Sequence, residues 1–67
     1  MRFIMMPANR IHAIEWLTAY VGPVLWSRPA VLWQGHGWDV CFHTDWLRYA
    51  VTVDDMALGT EAALRWG

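Results

Sequence analysis

The sequence predicts an α+β domain, a two-layer sandwich in which an antiparallel three- to four-stranded meander packs against two helices in the order β-α-β-β-β-α. Three patterns carry that prediction. From Arg10 to Val21 the apolar residues recur at helical spacing. Gln34-Gly35-His36-Gly37 is a hairpin turn signal between two apolar runs. The run after it alternates strictly, Trp38, Val40 and Phe42 against Asp39, Cys41 and His43.

The first strand is expected over Phe3 to Met6, ended by Pro7. Asn9 is placed to cap the first helix through its side-chain oxygen. On that helix Ile11, Ile14, Leu17 and Val21 share one side, flanked by Ala13 and Tyr20. His12, Glu15 and Ala19 take the opposite side and Trp16 sits at the border. Gly22-Pro23 stops the helix. Val24-Leu25-Trp26 is then a short edge strand or an extended connector, and Val31-Leu32-Trp33 begins the meander.

Gly35-His36 is read as the centre of a type II′ turn, with positive φ at Gly35, so that Trp33 faces Trp38 and Val31 faces Val40. A second reversal near Thr44-Asp45 pairs Phe42 with Leu47, Val40 with Tyr49 and Trp38 with Val51. A two- or a four-residue loop gives the same parity there. The inner face is then Val31, Trp33, Trp38, Val40, Phe42, Leu47, Tyr49, Val51 and Val53. Asp54 or Asp55 can cap a closing helix, which Gly59-Thr60 is expected to interrupt.

Chain length sets what must hold this together. A single domain, residues 1–67, is all the chain can form. At about this size folding buries only ~60% of the surface of the unfolded chain. Disulfides, metals, oligomerisation or large core side chains usually compensate. Cys41 is the one cysteine, so no disulfide forms within the chain. Six Trp, two Tyr and two Phe are the alternative support, each burying roughly 150–250 Å².

Five Arg against six acidic residues give a net charge of −1. No basic field is present for duplex nucleic acid, and none is expected as a ligand. Lys is absent, Asn occurs once, and Ala, Gly, Arg and Trp are frequent, the bias of a GC-rich bacterium or its phages. The apolar patch at the N-terminus is too short for a signal-peptide core. The longest apolar run, Ala19 to Trp26, is far from the ~20 residues that span a bilayer. A cytoplasmic protein without membrane contact is expected, and a lone cysteine fits that compartment.

The outer face of the meander is read as Leu32, Asp39, Cys41, His43, Trp46, Arg48, Ala50 and Thr52, the one constellation able to hold a site. Nucleophilic catalysis would need a base and an oxyanion hole for Cys41. His43 is two residues away, roughly 6.5–7 Å along the strand, and an open face excludes no water. No catalytic residues are assigned and no enzyme is expected. Arg48 opposite Cys41 would favour its thiolate. A metal would draw on His36, Cys41 and His43, with Asp39 or His12 fourth. Paired ligand spacing is missing, and no cofactor is expected. Stacking of unpaired bases on Trp46 and Arg48 is disfavoured, because Asp39 shares the face and no second basic residue accompanies Arg48.

Protein binding suits the face better, since Trp and Arg are enriched at interface hot spots. Trp46, Arg48, Leu32, Asp39 and His43 are the expected contacts, with Asp54 and Asp55 as an acidic end for a basic partner groove. Covering of the face by the second helix or a second copy, and capping by one Asp, are the competing structural roles.

Small size, the missing catalytic apparatus, the absent signal peptide and the GC-rich bias resemble the general profile of small phage or mobile-element proteins. Inhibitors of bacterial defence systems, such as anti-CRISPR proteins, are the best-known group with that profile. The resemblance implies a non-enzymatic module that acts by occupying a partner protein's surface. A metal-stabilised or redox-responsive Cys/His module and a homodimeric structural phage or bacterial protein are the alternatives.

Overall fold

A computed structural model describes all residues, Met1–Gly67. The chain runs β1 (Arg2–Met5), a 3₁₀ turn (Pro7–Asn9), α1 (Arg10–Tyr20), β2 (Val24–Arg28), β3 (Leu32–Gly35), β4 (Trp38–His43), β5 (Arg48–Val53) and α2 (Met56–Trp66). The α+β architecture is the expected one, with five strands rather than three or four. All neighbours pair antiparallel in the order β1-β5-β4-β3-β2. The Val24 segment is thus a strand, at one edge, while β1 forms the other. No helix is long and apolar enough to cross a membrane.

Both hairpins sit two residues out of the expected register. Gly35 faces Trp38 and Trp33 faces Val40, so the turn centres on His36-Gly37. Its positive φ, 85°, falls on Gly37 and not on Gly35. What fixes this register is Trp38: its indole lies across Gly35, where any Cβ would overlap the ring. The ring N–H donates to Gly22 O at 2.7 Å. In the next hairpin His43 faces Arg48, Phe42 faces Tyr49 and Trp38 faces Val53, with Thr44–Leu47 as a four-residue turn. A slip of two preserves side-chain parity, so Trp33, Trp38, Val40, Phe42, Tyr49, Val51 and Val53 keep the inner face. Val31 and Leu47 do not, because both fall in turns and are exposed.

The core lies between that face and the helices. Met5, Val40, Val51 and Val53 are fully buried with Ala13 and Leu17 of α1, and Ala62 of α2 is buried too. The stripe of α1 is rotated from the expected one: Ile11 and Tyr20 are exposed, whereas Trp16 packs on the core. Trp16 is drawn in by an edge-to-face contact with Trp66, ring centroids 5.7 Å apart, which joins the two helices. Asn9 occupies the cap position without a side-chain hydrogen bond, because the 3₁₀ turn already leads into the helix. Asp55 caps α2, accepting from Leu58 N at 2.9 Å. α2 is continuous through Gly59, where a Cβ would meet Met1 Cβ at 2.5 Å and Val53 Cβ at 3.3 Å. This glycine is therefore a close-packing position and not a break.

Candidate functional site

The helices occupy one face of the sheet and leave the other open. Directly opposed residues of an antiparallel pair share a face, so the register lays out the open surface in rows. Trp26, Gln34, Asp39, Thr52 and Arg2 form the first row, and Arg28, Leu32, Cys41, Ala50 and Ile4 the second. His43 and Arg48 begin a third. Arg48 thus faces His43, and the neighbours of Cys41 are Leu32 and Ala50, which corrects the expected Cys41–Arg48 opposition.

His43 is the centre of a corner. The Trp46 ring lies nearly parallel to the imidazole, 4.8 Å between centroids and 22° between planes. Arg2 Nη2 reaches within 3.4 Å of His43 Nε2; because β5 separates β1 from β4, the Arg2 arm crosses β5. Arg48 donates to Trp46 O at 3.4 Å and Leu47 O at 3.2 Å, tying down the turn that carries the indole. Trp46 itself is 54% exposed. The single ion pair of the molecule is Arg65–Glu61 on α2, so Arg2, Arg28 and Arg48 have no carboxylate partner.

The expected contact set is brought together only in part. Leu32, Asp39, His43 and Arg48 lie on the open face, half-buried, with Trp46 at its end. Asp54 and Asp55 follow the far end of β5, some six residues or roughly 20 Å away along the strand, and Asp55 is committed to capping α2. His36 stands in the turn before β4, roughly 17 Å along the strand from Cys41. No three His, Cys, Asp or Glu side chains converge in a manner able to hold a metal. The Cys41 thiol contacts Phe42 O at 3.8 Å, and no base stands against it.

Five residues of the face escape the sequence reading: Arg2, Ile4, Trp26, Arg28 and Gln34. Arg2 was legible in principle, since Phe3 and Met5 point inward and Arg2 and Ile4 must therefore point out. Trp26 and Arg28 were hidden because their segment reads equally well as a strand or a connector, and pairing with β3 alone sets its face. They overturn the expectation that Arg48 stands alone: Arg2 and Arg28 share its face. Elsewhere, a cleft of about 290 Å³ opens beside β1, lined by Asn9, Arg48, Arg65 and Trp66 among others, at the small end of ligand-pocket sizes.

No protein family matches the chain, and no curated protein or solved structure gives a match.

Proposed function

We propose that the chain is a small non-enzymatic protein-binding module that works by occupying a partner protein's surface. β2 carries the reading. All five of its residues are exposed, and it is one of the two edge strands of the sheet, so its outward N–H and C=O groups are free to pair. Leu25 is 65% and Trp26 54% exposed; Trp is among the residue types most enriched at interface hot spots, and Leu25 adds exposed apolar area beside it. Pro23, Pro29 and the shift at Leu25 bound the strand, devices that limit open-ended sheet growth. A short regular stretch, Trp26–Arg28, remains for one partner strand, the mode in which backbone bonds give affinity and flanking side chains give selectivity. A phage or mobile-element inhibitor of a bacterial defence system is the biological role that this size and composition suit.

The test is affinity capture from nuclease-treated bacterial extract, comparing the tagged protein with a Leu25→Lys, Trp26→Lys double variant. A partner retained in stoichiometric amount by the parent and lost by the variant supports the proposal. Equal retention by both overturns the role of β2. Sedimentation of the purified protein distinguishes a second copy as the partner, since a homodimer would dissociate in the same variant.

A further inference from the structure

We infer that the corner of the open face formed by Arg2, His43, Trp46 and Arg48 is a binding site for single-stranded nucleic acid, separate from the β2 edge. The His43–Trp46 stack supplies the platform: one side of the indole is against the imidazole, and the residue is still more than half exposed. A planar group can therefore extend the stack. Base–aromatic stacking of this kind needs an unstacked base, which a duplex does not offer and a single strand does.

Charge favours the same ligand. Arg2 and Arg48 flank the stack, both without carboxylate partners. Phosphates are the complementary groups. The acids nearby are Asp39, half-buried between Gln34 and Thr52, and Asp45, exposed in the turn beside Trp46. They lower affinity, so binding is expected to be moderate and sensitive to salt. A protein hot spot would instead seat its aromatic in a well-packed, desolvated pocket. Here the surroundings are Arg2, His43, Asp45 and Arg48, and the apolar neighbour is the exposed Leu47. The flat face also has no helix or ribbon projecting to enter a groove, as duplex reading requires.

Fluorescence anisotropy with a fluorescein-labelled oligothymidylate tests this on the full chain. Saturable binding at low salt is expected, falling as salt rises. Trp46→Ala should lower affinity about tenfold, the size of one base–aromatic stack, while Trp46→Phe keeps most of it. Arg2→Gln should weaken binding and flatten its salt dependence. Because Trp46 is exposed, circular dichroism of Trp46→Ala should match the parent, and Trp46→Phe guards against a folding defect. Binding equal in Trp46→Ala, displacement of the oligonucleotide by poly-L-glutamate at equal charge, equally tight duplex binding, or no binding at all would each overturn the inference. Capture at β2 uses nuclease-treated extract and this assay uses no protein partner, so one can fail without the other.

Discussion

Tyr49 shows how single side chains hold this small molecule together. Its ring is buried beside Phe42 and Trp33, and its hydroxyl donates to Ala30 O at 2.9 Å while accepting from Arg10 Nη1 at 3.2 Å. One oxygen thus links β5, the start of α1 and the β2–β3 turn. Ala30 sits at φ 64° in that turn, after Pro29 and ahead of the Val31 N to Arg28 O bond of 3.0 Å. This is the position where a type II turn favours glycine. Ala30→Gly is expected to stabilise the fold by up to about 1 kcal/mol, since relief of left-handed strain exceeds the added backbone entropy. Urea titration of both proteins measures it, and a lower midpoint in the variant would contradict it. Gly35 has the opposite sensitivity. Gly35→Ala should cost about 1–3 kcal/mol, as overpacking against a fixed ring does, because a Cβ there enters the buried Trp38 indole. A thermal melt equal to the parent's would mean that Trp38 lies elsewhere.

At the scale of elements, the faces of β4 are the decisive feature. Val40 is fully buried and Asp39 half-exposed on the open side. Val40→Asp would place an unpaired charge in the core at a cost of about 3–5 kcal/mol, comparable with a total stability of roughly 3–10 kcal/mol for this length. Asp39→Val should leave the fold intact. Circular dichroism of the two variants checks the pair, and equal tolerance would refute the alternation. That alternation is why the sheet was legible in the sequence: Trp38, Val40 and Phe42 define a face whatever the loop lengths, and a register error of two leaves it unchanged. What stayed hidden depended on atoms far apart in the chain. The register followed from Trp38 lying over Gly35 and bonding Gly22 O, which no local pattern reports. Likewise α2 reads as broken at Gly59 until Met1 and Val53 are seen against it. The Arg2–His43–Trp46 corner needed β1 beside β5, a pairing that turn signals do not specify.

For the whole molecule, cohesion rests on one apolar cluster between sheet and helices. No grouped ligands and no disulfide assist it. EDTA is accordingly expected to leave the melting temperature unchanged in calorimetry, whereas a fall of several degrees would reinstate a structural metal. The strand order has a bearing on biosynthesis. β2 to β5 join through short turns and can assemble as they are made, but β1 pairs only with β5, Arg2 facing Thr52 and Phe3 facing Val51. Local contacts form early and distant ones late. Of the five strands of this sheet, the first to be made is therefore the last to find its place. Until β5 is synthesised, Phe3, Ile4, Met5 and Met6 travel as an unpaired apolar segment, open to chaperone capture or to premature pairing with another chain.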